Sequence, residues 1–332
     1  MILAADVGGT NARLAIYSAD GEKLIRRETY PSHTHKSFEE VARAFLAAGG
    51  EKPLAACVGV AGPVVDGRVE ATNVPWILDE RIIAQALDIP KVSLINDLVA
   101  LSLGALHARP EDLVLLHGSS LPRTQGANLA VIAAGTGLGE ASLVWDGQKH
   151  VVCATEGGHV DFAPRNELEI DLLRYLIKRV KRRVSYERIL SGPGIGNVYD
   201  FFREAKAIPE DEVVEAAIAS SADRNATITK LGISGESTAA ARALKLFISL
   251  YGAEAGNLVL KSLAVGGVFV MGKIAVNLSA QLGPKGFVDS FLDKGRMRQL
   301  LEKTPIALVP DSTIGLSGSA RHAAASLSGL RT

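Results

Sequence analysis

Two glycine-threonine turns, each set between short apolar runs, are the residues of this sequence best suited to chemistry. The first is Ala5-Asp6-Val7-Gly8-Gly9-Thr10-Asn11-Ala12-Arg13, entered through residues 2–5 and left through 14–17. The second is Ala133-Ala134-Gly135-Thr136-Gly137-Leu138-Gly139, entered through 129–134 and left through 141–145. Apolar runs joined by a short glycine-bearing turn predict a β-hairpin. Glycine admits positive φ and a close approach of ligand to backbone, and successive N–H groups in such a turn form an anion-binding concavity. One copy is an ordinary turn. Two copies, Gly9-Thr10 and Gly135-Thr136, 126 positions apart, point to a polyphosphate held from two sides. Asp6 beside the first turn repels phosphate unless a cation intervenes, and Mg²⁺, held by one or two carboxylates with waters and phosphate oxygens, fits that position.

A third polar constellation is Asn96-Asp97, directly after the apolar run 92–95 and before the helical stretch 98–106. Ligands of open α/β sheets bind beyond the carboxyl ends of strands, and a phosphoryl acceptor hydroxyl needs an oriented carboxylate for its proton. Asn and Asp are equally the favoured helix N-caps, so Asp97 reads as a base, a cap, or both with Asn96 capping. Glu156 and His159, separated by Gly157-Gly158, suit sugar hydroxyls, which take mixed donors and acceptors. They also suit plain loop hydrogen bonds or a metal, although no third ligand stands near. Glu187 reads alternatively as a first-turn helix glutamate.

These residues need an alternating α/β chain to position them. Strands are expected at 54–61, 92–95, 113–117, 129–133, 141–145, 151–153, 264–270 and 306–309. Helices are expected at 38–48, 81–87, 98–106, 167–180, 197–205, 211–219, about 237–261 and 316–327. With 332 residues two domains are the default, and no low-complexity linker divides them, so the final helix is expected to return to the first domain. Lys+Arg and Asp+Glu each number 36, a balance that argues against nucleic acid as the main partner. The basic run 178–183 reads as a helix C-terminus. Cys57 and Cys153 lie in apolar runs and are expected as buried free thiols. No basic leader and no stretch of about 20 apolar residues is present, so no signal peptide, no membrane span and a cytoplasmic location are expected.

In order along the chain, Asp6-Val7-Gly8-Gly9-Thr10-Asn11, Asn96-Asp97, Ala134-Gly135-Thr136-Gly137-Leu138-Gly139, Glu156-Gly157-Gly158-His159, Tyr186-Glu187-Arg188-Ile189-Leu190, Ser191-Gly192-Pro193-Gly194 and Gly266-Gly267 resemble the bacterial glucokinases nearly end to end. These are the short hexokinase-like type of the actin/hexokinase/Hsp70 superfamily. The resemblance implies an α/β, two-domain ribonuclease-H-like (actin-like ATPase) fold with a cleft between domains, one of residues 1–106 and 312–332 and one of 107–311. It implies ATP-dependent phosphorylation of glucose at the 6-hydroxyl, with ATP and Mg²⁺ as cofactors, and it admits a homodimer. Asp97 maps to the base, and Asn96, Asp97, Glu156, His159 and Glu187 map to sugar contacts. Asp6, Gly8, Gly9, Thr10, Asn11, Gly135, Thr136, Gly137, Gly266 and Gly267 map to the nucleotide loops, with Asp6 reaching Mg²⁺ through water. The chain departs from the family pattern at Met271-Gly272-Lys273-Ile274, where Lys273 bears on the adenine side and on nucleotide preference.

Two other nucleotide motifs fail. Residues 267–274 match the Walker A spacing until Ile274, which lacks the hydroxyl that Mg²⁺ requires there. The second glycine turn lacks the Rossmann spacing and enters a strand rather than a helix. A kinase for another hexose on the same fold remains a rival reading. A non-catalytic sugar sensor is a second one, and it would need a DNA-reading module, which does not precede the first hairpin.

Overall fold

The structure, a computed structural model, describes residues 1–70, 76–123 and 125–327. Residues 328–332 of the expected first domain lie outside the described residues. The chain divides into two units: Met1–Asp112 with Lys149–Ala154 and residues from Asp311 on, and Leu113–Gln148 with Thr155–Pro310.

In the first unit, Ile2–Val7 (β1) and Asn11–Tyr17 (β2) form the expected hairpin, with Asp6 opposite Arg13 and Val7 opposite Ala12. Leu24–Pro31 (β3) adds an outer strand whose polar, mostly exposed residues gave no apolar run to read. Phe38–Gly49 (α1) starts on Ser37, whose side chain accepts from Glu40 N–H, and ends on Gly50 at φ 71°, an ordinary glycine stop. Ala55–Val60 (β4) is buried throughout, as a strand covered on both faces must be. Arg68–Glu70 (β5) and Ile77–Asp79 (β6) make a small ladder. Glu80–Leu87 (α2), Lys91–Asn96 (β7) and Asp97–Leu106 (α3) follow. The sheet order is β3-β2-β1-β4-β7, with β1, β4 and β7 parallel. The last helix, Ile314–Leu327, packs on β1, β4 and α3. It comes so close that a Cβ on Gly318 would overlap the Ala100 carbonyl.

The second unit holds five strands of a six-stranded sheet, whose edge strand His150–Thr155 falls mostly in the segment counted with the first unit. The strands of this sheet are Val114–His117 (β8), Leu129–Ala134 (β9), Leu138–Trp145 (β10), His150–Thr155 (β11), Gly267–Met271 (β12) and Ile306–Leu308 (β13), in the order β11-β10-β9-β12-β13-β8. Helices Glu167–Val180 (α4), Gly192–Asp200 (α5), Glu212–Ala219 (α6), Arg224–Ser234 (α7), Thr238–Ser262 (α8), Lys273–Asn277 (α9), Asp289–Leu292 (α10) and Arg298–Glu302 (α11) complete it. The helix expected at 197–205 starts earlier, because Ser191 caps it through Gly194 N–H, and a π-helical stretch, Phe201–Ala205, takes over its end. Helix α7 was not expected from its weakly apolar sequence.

By length and composition alone α8 is long and apolar enough to cross a membrane, but Arg242, Lys245, Glu254 and Lys261 interrupt its sequence and 78% of its apolar window is buried inside the protein. Phe247 and Tyr251, both fully buried, anchor it in the core, where each contributes about 2 kcal/mol. Cys57 and Cys153 are both free thiols, but only Cys57 is buried. Cys153 is exposed because β11 lies at the sheet edge.

Candidate active site

In the first unit the site residues meet at one edge of the sheet. Parallel register places Val7, Val60 and Asn96 side by side at the carboxyl ends of β1, β4 and β7. The first glycine turn and Asn96-Asp97 therefore leave the same edge two strand spacings apart, roughly 10 Å. Asn96 both caps and braces: its Oδ1 accepts Leu98 N–H at 2.9 Å and its Nδ2 donates to Gly62 O at 3.1 Å. Asp97 Oδ1 also accepts Leu98 N–H at 2.9 Å. The cap therefore does not depend on Asp97 alone. Asp6 is paired with Arg13, Nη1 2.8 Å from Oδ2.

The glycines of both hairpins serve differently from expectation. None of Gly8, Gly9, Gly135 and Gly137 adopts positive φ; what they supply is room. A Cβ on Gly135 would meet nothing within 4 Å, whereas one on Gly137 would lie 2.5 Å from Glu187 Oε2. Gly9, Thr10 and Thr136 are exposed at the turn tips, in front of buried strands.

In the second unit the second hairpin and the sugar-type side chains are built into each other. Leu138 N–H donates to Glu187 Oε2 at 3.1 Å. His159 lies between two carboxylates, its Nδ1 3.8 Å from Glu187 Oε1 and its Nε2 3.7 Å from Glu156 Oε2. The Ser-Gly-Pro-Gly turn is clipped to the hairpin by Gly192 N–H on Gly135 O at 2.8 Å, and Ser191 Oγ donates to Glu187 O at 2.7 Å. Arg183, from the basic run read as a helix end, donates to His159 O at 2.6 Å and to Asp161 Oδ1 at 3.1 Å. The helix in fact stops at Val180, with Lys181 left-handed as its cap. That frees Arg183 for the loop. No metal-holding group of three or more His, Cys, Asp or Glu occurs among the described residues.

A cavity of about 650 Å³ opens beside Gly135 and Thr136, lined further by Gly192, Asn225, Ile233 and Lys273. Helix α7 supplies much of that wall and was missed from the sequence. Its local signals were its two caps: Asp223, whose side chain accepts Ala226 N–H at 3.0 Å, and Gly235, left-handed at φ 78°. Gly266 and Gly267 are not brought to this place. Gly267 begins β12 opposite Leu129 and lies against Pro122, and Gly266 just before it lies against Asn128, while the second glycine turn follows the far end of β9. Gly272, at the other end of β12 with φ 91°, is the glycine set against Ala134.

Paired glycine hairpins on α/β sheets, with polar side chains at the strand ends, define the chain as a sugar kinase of the actin-like ATPase fold. Its structure superposes on that of a glucokinase from an Antarctic psychrotroph with a TM-score of 0.83 and 32% identity, covering 97% of this chain and 98% of that one. It shares the fold of the ROK hexokinase from Thermus thermophilus, with a TM-score of 0.64 and 21% identity over 99% of each chain. Residues 3–326 match the glucokinase family. The glucokinase of Nostoc sp. is 38% identical over 98% of this chain and 99% of its own length, and that of Tolumonas auensis 35% over 97% and 96%. The chain belongs to the glucokinase family and is a hexose kinase.

Proposed function

We propose that this protein transfers the terminal phosphoryl group of ATP to the 6-hydroxyl of glucose. The observation that carries this reading is Glu187. Its carboxylate takes the Leu138 N–H of the glycine hairpin and stands 3.8 Å from His159, so one side chain joins a phosphate-type turn to a hydroxyl-binding group. Glu156, His159, Glu187 and Asn96 bind sugar hydroxyls. A site that pairs each hydroxyl rejects analogues lacking one, since its polar groups would be left unpaired.

Asp97, held at a strand end by a cap that Asn96 shares, orients the 6-hydroxyl and takes its proton. A carboxylate is ionised at neutral pH without a large shift, and in a loose phosphoryl transition state positioning outweighs basicity. The open space in front of Gly135 and the adjoining cavity suit the phosphates and nucleoside of ATP. Thr136 and Gly137 hold the phosphates on one hairpin; Gly8, Gly9, Thr10 and Asn11 do so on the other. Asp6 would hold Mg²⁺ through water, where the ion neutralises phosphate charge. A cytoplasmic location and a homodimer belong to the same reading, on family membership alone.

The test is ADP release from ATP and Mg²⁺ across a panel of hexoses, with Asp97→Asn in parallel. Turnover strongest with glucose and lost in the variant supports the reading. Equal turnover with many hexoses removes glucose as the particular substrate, and wild-type turnover in the variant removes Asp97 as the base.

A further inference from the structure

Under the loop that carries Glu156 and His159 lies a carboxyl group with no part in the reaction as described. Glu140, in β10, is 1% exposed, and its Oε1 has no hydrogen-bond partner among the described residues. Its side chain fills the space beneath Gly157, where a Cβ would overlap Oε2 and lie 3.0 Å from the Glu140 Cβ. The main chain makes the same connection. Thr155 Oγ1 donates to Glu140 O at 2.8 Å and accepts Gly157 N–H at 3.0 Å. A Cβ on Gly158 would likewise overlap the Leu138 carbonyl. The loop therefore rests directly on residues 138–140.

The other side of Glu140 faces α8. There Glu254, fully buried, accepts from Lys261 Nζ at 2.8 Å and from Asn257 Nδ2 at 2.8 Å. Asn257 also donates to Tyr186 Oη at 3.2 Å and accepts from Lys294 Nζ at 2.6 Å. The titratable groups around Glu140 are thus Glu254, Lys261 and Tyr251 from α8, Tyr186 and Lys294 beyond them, and Glu156 and His159 on the loop. Burial first, and then the charge of Glu254, push the Glu140 carboxyl up to about 7, against the opposing pull of Lys261. A carboxyl so placed changes its charge within the physiological pH range.

We propose that Glu140 is a positioning residue for sugar binding. As the neutral acid it supports Gly157; as the anion, unpaired beside Glu254, it displaces the loop and weakens glucose binding. This rests on the reading of loop 156–159 as sugar-binding.

The test is the pH dependence of KM and kcat for glucose between pH 6 and 9, for wild type, Glu140→Gln and Glu254→Gln, with His159→Ala at pH 6. With only the protonated fraction competent, wild-type KM rises about tenfold per pH unit above the Glu140 titration, while kcat holds. Glu140→Gln keeps the low KM throughout. Glu254→Gln removes the neighbouring negative charge, and the rise begins at lower pH. A flat wild-type profile, an unaltered rise in Glu140→Gln, or an effect on kcat instead of KM overturns the proposal. Should Glu140→Gln fail to fold, the wild-type rise and its acid shift in Glu254→Gln decide alone. If His159→Ala leaves KM unchanged, the sugar-loop reading itself fails. If it raises KM while Glu140→Gln keeps the wild-type rise, only the role of Glu140 fails.

Discussion

Arg13 Nη1 stands 2.8 Å from Asp6 Oδ2, directly across the first hairpin. The acid that sits beside a phosphate-type turn thus has a cation supplied by the neighbouring strand. Both side chains are about a third exposed, so the pair contributes at most about 1 kcal/mol. Arg13→Ala is expected to lower Tm by no more than about 4 °C, measured by calorimetry. Asp6→Asn is expected to raise the Mg²⁺ concentration for half-maximal rate by on the order of tenfold. An unchanged Mg²⁺ titration would leave Asp6 as a partner for Arg13 and nothing more.

Asp97→Asn separates chemistry from capping. Leu98 N–H keeps its bond to Asn96 Oδ1, so thermal stability should stay within about 0.5 kcal/mol of wild type. Loss of the base should lower kcat by roughly 10²–10⁴-fold, with little change in the KM for glucose.

The two glycines of the second hairpin make a matched pair. Alanine at 137 places a methyl 2.5 Å from Glu187 Oε2, whereas alanine at 135 meets nothing within 4 Å. Gly137→Ala should raise KM for glucose by displacing Glu187. Gly135→Ala should fold normally and raise KM for ATP, because its methyl projects into the open space. Kinetics with each substrate varied in turn distinguish the two, and a shared effect on glucose alone would contradict the assignment of Gly135.

Arg183 acts on His159 only through the main chain. Arg183→Ala should therefore raise the glucose KM several-fold, about 1 kcal/mol for one charge-assisted hydrogen bond, and leave kcat near wild type. Arg183→Lys should restore part of the loss.

Glu140 also leaves a mark on stability. Its folded carboxyl titrates at about 7, against 4.5 when unfolded, so the folded state binds the extra proton between those values. Stability should fall as pH rises through that window and level off above it, by about 3 kcal/mol in total. Glu140→Gln removes this component, so its Tm advantage over wild type should grow from pH 5 to pH 8.

The hairpins and Asn96-Asp97 were legible because strand ends and turns are set by neighbours a few residues away. Even the Asp6–Arg13 pair follows once the turn is centred between Gly9 and Thr10. Glu140 was not legible: it reads as one more strand residue, and its isolation comes from Gly157 and from Glu254 on a distant helix. Gly266-Gly267 misled because a glycine pair at a strand does not tell which end meets the ligand. The polar strand β3 and the helix α7 gave too little apolar periodicity to be read. Arg183 was hidden inside a basic run whose helix ends sooner than its charges do.

The last helix lies against β1 and β4, with the Ser319 hydroxyl 3.5 Å from the Ala5 carbonyl. On a ribosome this sets an order of events. Strand β1 leaves the exit tunnel long before that helix and waits, at about 5–20 residues per second, for a partner more than 300 positions away. The unit of Leu113–Gln148 and Thr155–Pro310, by contrast, is complete without any residue made after Pro310. The sheet of β1 and β4 is thus completed only when that distant helix arrives, and a chain truncated before Ile314 would leave its helix-facing side uncovered.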